Sequence, residues 1–197
     1  MKTLLIVFLL AASTLTAAPR TPKSPAEIYA RASLSLVRVQ YAAEEDKRYN
    51  CTGFVVDAAR GWVLTAAHCI NPEGDTLVDG VSAAVVRKNE QFAVLSITPM
   101  SKPPLDLRKK APTLGEPVTA IGYGFNVATV LASVLAGSDN GDIAIGVGLI
   151  PGMSGGPILD ANGEVLGINQ RNLFANGGVL GIGCGADEIR AFLEAKK

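Results

Sequence analysis

Two short stretches hold residue types that could make and break an acyl bond. Thr65-Ala66-Ala67-His68-Cys69 contains the only histidine of the chain, and Gly152-Met153-Ser154-Gly155-Gly156-Pro157 sets a serine among glycines. A serine hydroxyl is a poor nucleophile at neutral pH until a base takes its proton, and histidine is the usual base. The tetrahedral species formed by attack on a carbonyl needs backbone N–H donors aimed at its oxyanion. Gly152 can take a backbone conformation barred to residues with side chains, so its N–H can join that of Ser154. Gly155 and Gly156 let a substrate backbone come close. The bland alternatives are a Gly-rich turn with an exposed serine and a satisfied, partly buried histidine.

The elements that must position these residues read as strand after strand. Ser24-Pro25-Ala26-Glu27 has the pattern of a capping box with proline in the first turn, which predicts a short helix. Period-two alternation of apolar residues begins at residues 34–40. Further strands are expected at 51–56, 62–65, 76–78, 82–88 and 92–97, with one helical turn at 66–70 carrying His68. A second set is expected at 117–123, 126–136, 143–147, 156–159, 165–169 and 178–182. Asp160-Ala161-Asn162-Gly163 reads as a hairpin turn. Residues 186–195 place Ile189, Phe192 and Leu193 on one face of a closing helix. Many short strands with Gly-rich turns indicate a sandwich or barrel.

Lys2, the apolar run at 4–12 and the small residues Thr16-Ala17-Ala18 form an export signal, with cleavage expected after Ala18. The apolar run is shorter than the ~20 residues a membrane span needs. Residues 1–18 are therefore read as signal and 19–197 as one domain, soluble and free of the membrane after cleavage. Acidic and basic residues balance at 18 each, and no basic stripe alternates with aromatics, which argues against nucleic acid as a partner. Export makes a disulfide plausible. Cys51 and Cys69 could meet across a hairpin or stay reduced in the core, and Cys184 is expected as a buried free thiol.

The stretches Cys51-Thr52-Gly53-Phe54-Val55-Val56 and Trp62-Val63-Leu64-Thr65-Ala66-Ala67-His68-Cys69, followed by Gly152-Met153-Ser154-Gly155-Gly156-Pro157, resemble the chymotrypsin-like (trypsin-like) serine proteases. Phe92-Ala93-Val94-Leu95 and Glu164-Val165-Leu166-Gly167-Ile168-Asn169 look most like the bacterial HtrA-like branch. The resemblance implies an all-β fold of two antiparallel six-stranded β-barrels with a short N-terminal helix and a C-terminal helix. His68 and Ser154 would face each other across the cleft between barrels. It implies a Cys51–Cys69 disulfide beside the histidine, Ser154 as nucleophile, His68 as general base, and an oxyanion hole from the N–H groups of Gly152 and Ser154. Ile168-Asn169-Gln170 matches the edge strand that pairs with an extended peptide, and Gly148 falls near the base of the primary specificity pocket. No acidic residue stands at Gly148, which argues for a small or apolar residue at the cleaved position. The implied activity is that of an exported serine endopeptidase, secreted or periplasmic, acting as a monomer on peptide or protein without cofactor. No clustered His/Cys/Asp set suggests a metal.

Three departures stand out. The family's triad aspartate precedes an x-Ala-Val-Leu run, and here that position is Gln91. Loss of this charge costs ~10⁴ in turnover in a digestive relative. Glu90 on a bulged strand could replace it, or Asp75 or Asp79 from elsewhere, or a Ser-His dyad could work with Gln91 as acceptor. A domain that binds peptide without cutting is the rival function. Met153 stands where zymogen-type relatives have an aspartate that pairs with a new N-terminus. The PDZ modules of many HtrA-like proteins are not expected after the closing helix.

Overall fold

The computed structural model describes residues 23–44, 47–71, 74–97 and 100–195. The expected export signal at 1–18 lies outside them. Ser24 caps helix α1 (Pro25–Ala32): its Oγ accepts the Glu27 N–H, and its own N–H donates to Glu27 Oε2 at 2.8 Å. Both halves of the expected capping box are thus present. Ile28 and Ala32, four residues apart on one face, are buried. A 3₁₀ turn at Ser33–Ser35 then delivers the chain to the first sheet.

That sheet contains β1 (Leu36–Glu44), β2 (Lys47–Asp57), β3 (Trp62–Ala66), β4 (Thr76–Val78), β5 (Val81–Ser82), β6 (Ala84–Lys88) and β7 (Phe92–Ser96). Its order is β5-β4-β1-β2-β3-β7-β6. The two end strands are joined by Ala83 alone, whose N–H donates to Thr76 O at 2.9 Å. Consecutive Cα atoms are only ~3.8 Å apart, so the sheet must curl until its ends meet there. The strand expected at 82–88 is therefore broken at a corner, and the half-barrel holds six strands if the bent one is counted once.

The second half is a closed barrel, β10-β13-β12-β11-β8-β9. Its strands are β8 (Pro117–Gly124), β9 (Val127–Asp139), β10 (Asp142–Ile145), β11 (Pro157–Asp160), β12 (Val165–Ala175) and β13 (Gly178–Gly185), and α2 (Ala186–Glu194) follows. Antiparallel pairing and the two flanking helices are those expected. β12 runs six residues past the expected end at Asn169, because residues 171–175 pair with β13 beyond a bulge at Gln170. Asn176 and Gly177 close that hairpin with positive φ of 49° and 79°, the geometry a two-residue turn needs.

Alternation along the strands divides the core. Val37, Val39, Val55, Val63 and Leu95 fill the first sheet, and Val118, Leu135, Ile145, Met153 and Ile158 fill the second barrel. Phe54 and Leu64, one residue out of phase with Val55 and Val63, face the other way. They join Phe92, Ile121, Leu159 and Ile168 in a third cluster between the halves. Phe192 of α2 closes it, its ring 5.4 Å from that of Phe92. This shared core fixes the two halves against each other. No helix among the described residues is long and apolar enough to cross a membrane.

Candidate active site

β3 ends at Ala66 and a 3₁₀ turn, Ala67–Cys69, presents His68. The turn is tied on both sides. Ala67 N–H donates to Gln91 O at 2.9 Å, and Cys69 is bonded to Cys51 of β2 with a Cα–Cα distance of 5.8 Å. From the second barrel, residues 151–156 turn twice before β11 and carry Ser154. Gly152 sits at φ +99°, and a Cβ there would lie 2.4 Å from Tyr123 O. Gly155 sits at φ +81°, and a Cβ would lie 2.2 Å from both Thr52 O and Thr65 Oγ1. Only glycine fits either place.

The carbonyls of this loop are held from behind. Pro151 O accepts Phe125 N–H at 2.8 Å. Met153 O accepts Gly156 N–H at 2.9 Å and Asn169 Nδ2 at 3.3 Å. In a trans peptide the C=O of one residue points opposite to the N–H of the next. Fixing Pro151 O and Met153 O therefore fixes the N–H groups of Gly152 and Ser154. Neither N–H has a protein acceptor among the described residues. Gly152 and Ser154 itself thus each keep an unspent N–H whose peptide is held from behind, as an oxyanion hole requires.

His68 and Ser154 come together around the disulfide. Cys69 Sγ lies 3.6 Å from Ser154 O, and a ring nitrogen of His68 lies within 4.8 Å of both cysteine sulfurs. Serine and imidazole are not hydrogen-bonded to each other; Ser154 Oγ donates to Gln170 O at 3.3 Å. The three-residue group Cys51, His68 and Cys69 is no metal site, since a disulfide offers no thiolate. Surrounding protein desolvates the imidazole and lowers its pKa below the ordinary 6.5. The side chain is nonetheless exposed, so water screens much of that effect.

None of the candidate acids bonds to the imidazole among the described residues. Asp79 accepts Arg38 N–H at 2.8 Å and pairs with Lys102 at 3.0 Å. Asp75 forms no hydrogen bond or ion pair with the ring among the described residues. Glu90 shares an open cleft with His68, Ala67, Lys88 and Asn89 but forms no ion pair with it. Gln91 stands beside the histidine turn, where its carbonyl also accepts Gln170 Nε2 at 2.8 Å. Its amide makes no bond to His68.

The substrate-binding positions divide. Gly148 is half-buried in the loop after β10, where an added Cβ would lie 2.9 Å from the methyls of Val179. Ile168 and Asn169 are buried, and neither offers an open edge. Ile168 pairs with Pro157 on one side and Cys184 on the other. Asn169 N–H donates to Gly156 O, its C=O accepts Gly155 N–H, and its amide reaches Ile121 O and Met153 O. Asn169 thus braces the serine loop, which corrects its expected place on a substrate edge. The open edge begins at Gln170, because β11 starts at Pro157 and the chain before it swings away into the serine loop. Cys184 is a buried free thiol whose Sγ donates to Asp142 Oδ1 at 3.6 Å. Burial first, and then the Asp142 charge, push its pKa up to about 12.

Sequence reasoning missed Thr52, Tyr123 and Phe125 as anchors of the serine loop. The one local signal was Gly124-Phe125-Asn126 between two apolar runs, a two-residue turn in which Phe125 and Asn126 have φ of +48° and +64°.

A family model for the trypsin-like peptidase domain matches residues 51–168. A probable periplasmic serine endoprotease, DegP-like, of Chlamydia trachomatis is 29% identical over 172 residues, 78% of this chain and 34% of that protein. The periplasmic serine endoprotease DegP of Salmonella typhimurium is 28% identical over 151 residues, 67% of this chain and 32% of that protein. The chain spans about a third of the length of these relatives. Solved structures share the fold. The serine endoprotease of Yersinia pestis superposes with a TM-score of 0.77 at 24% identity, covering 89% of this chain and 67% of that one. The active form of the Rv3671c protease of M. tuberculosis gives 0.75 at 23% identity, covering 97% and 96%.

Proposed function

Because the chain belongs to the trypsin-like peptidase domain family, we propose that it is a serine endopeptidase that cleaves peptide bonds through an acyl-enzyme on Ser154. The observation that carries this reading is the pair of unspent N–H groups at Gly152 and Ser154, fixed from behind and set beside the only histidine. Ser154 Oγ rests on the Gln170 carbonyl and leaves it for the imidazole before attack. His68 accepts the proton as Ser154 attacks, and the two N–H groups receive the charge on the carbonyl oxygen. His68 then protonates the leaving amine, and water repeats the sequence to free the acid. The substrate lies extended along the open edge from Gln170, with a small or apolar residue near Gly148 and Val179. The reaction uses no metal or organic cofactor. Residues 1–18 serve as the export signal, and residues 19–197 work in the periplasm or outside the cell, as the names of the relatives suggest.

A fluorophosphonate probe tests this directly. It labels the folded wild-type protein, and labelling disappears in Ser154→Ala and His68→Ala. One observation favours a second reading: no carboxylate among the described residues bonds to His68, which suits a domain that holds a peptide without cutting it. Absence of labelling in folded wild-type protein, together with saturable peptide binding, selects that reading.

A further inference from the structure

Thr52 belongs to β2, in the first half of the molecule, yet most of its hydrogen bonds cross to the second. It is fully buried. Its N–H donates to Ser154 O at 2.9 Å, and its hydroxyl donates to Gly152 O at 2.8 Å. The hydroxyl also accepts Tyr123 N–H at 2.9 Å, and its carbonyl accepts Thr65 Oγ1 at 2.8 Å. The hydroxyl proton has one place to go: a backbone N–H can only donate and a carbonyl can only accept, so it points to Gly152. One buried residue thereby holds the carbonyls of both residues whose N–H groups form the proposed hole.

Something must hold them. Gly152 reaches φ +99° because it is glycine, and the same freedom lets it leave. No charge is present in the loop to anchor it: Met153 is buried among Leu135, Ile145 and Ile158. Resting on the serine peptidase reading, we propose that Thr52 is a positioning residue that keeps the oxyanion hole formed in the resting protein. Its hydroxyl anchors the loop from the neighbouring half without an ion pair. Tyr123 fixes the hydroxyl, and the hydroxyl fixes the peptide between Gly152 and Met153. Met153 N–H then stays on Ile150 O at 3.0 Å.

The test compares Thr52→Val, which keeps the shape and removes the hydroxyl, with Thr52→Ser, which keeps the hydroxyl. Thr52→Ala is the second hydroxyl-free variant should valine prevent folding. Expected for the hydroxyl-free variants is a kcat lower by roughly 10- to 100-fold with KM nearly unchanged, the pattern of an interaction made in the transition state. Affinity for a peptide aldehyde, whose adduct places an oxygen in the hole, falls by the same factor as kcat/KM. Amide exchange at Met153 quickens about 10-fold while β8 and β12 keep their protection. Thr52→Ser returns every value to near wild type. A folded hydroxyl-free variant with kcat, aldehyde affinity and loop exchange all unchanged overturns the proposal. So does equal damage from serine. If wild-type protein neither turns over peptide nor takes the fluorophosphonate, the peptidase reading fails separately, and loop exchange still decides whether Thr52 holds the loop.

Discussion

From Ile150 to Ser154 every backbone carbonyl has a donor, drawn from the loop itself, from Thr52, from Phe125 and from Asn169. Across the disulfide, the ring of His68 has no hydrogen-bond partner among the described residues. The two sides of the site differ because their tasks differ. Donors that stabilise a charge appearing for an instant must already point at it, since turning them during the reaction would cost what they contribute. A base needs only to reach, and it can swing into place. It works better, though, when an acid orients it and stabilises the imidazolium. Among the described residues the carbonyls of the serine loop are all held, and no acid is bonded to the imidazole.

The largest expected effect removes the nucleophile: Ser154→Ala leaves no measurable acyl-enzyme by mass spectrometry of trapped turnover. His68→Ala costs less. In a complete triad the serine and histidine deletions cost about the same, near 10⁶ in kcat. A base with no acid bonded to it, as His68 has none among the described residues, is worth about 10²–10⁴, so single-turnover rates for the two variants separate. If both variants fall equally by about 10⁶, the histidine side is better supported than its surroundings indicate.

Next in size is the disulfide on which the two sides meet. Replacing Cys51 and Cys69 with serine reopens a separation of 18 residues, which costs about 3 kcal/mol in chain entropy. Calorimetry should show a midpoint lower by about 10 °C. Of the two turns, the histidine turn suffers more, because the serine loop keeps all its other anchors.

Much of this arrangement was legible in the chain. The capping box at Ser24, the period-two strands and the two motif stretches are local patterns, and local patterns survive in sequence. The bend at Ala83 and the run of β12 past Gln170 were not legible, because pairing with a distant strand decides them. Asn169 looked like part of a substrate edge, but its place between Gly156 and Met153 exists only once the second barrel closes. Thr52 and Gly152 are 100 residues apart, and nothing near Thr52 marks it as a support of the serine loop. The missing acid was visible at Gln91, and no described carboxylate has taken its place.

The smallest effect is a control remote from both sides. Cys184, with its pKa pushed up to about 12, stays unalkylated by iodoacetamide at pH 8 in folded protein and reacts once denatured. Rapid alkylation of the folded protein would show that the second barrel opens more readily than its closed hydrogen bonding implies.

The contrast between a held serine loop and a histidine with no acid bonded to it among the described residues is tested most directly by the pH profile of kcat/KM for wild type and Gln91→Asp. Neutral imidazole is the base, so activity rises with pH through the His68 pKa. Desolvation lowers that pKa, which places the wild-type acid limb below 6.5. A carboxylate at position 91 favours the imidazolium and moves the limb to higher pH, while the plateau rises by about 10- to 100-fold. An unchanged plateau and an unmoved limb in folded Gln91→Asp would contradict the account, because the histidine would then already have the support it is said to lack.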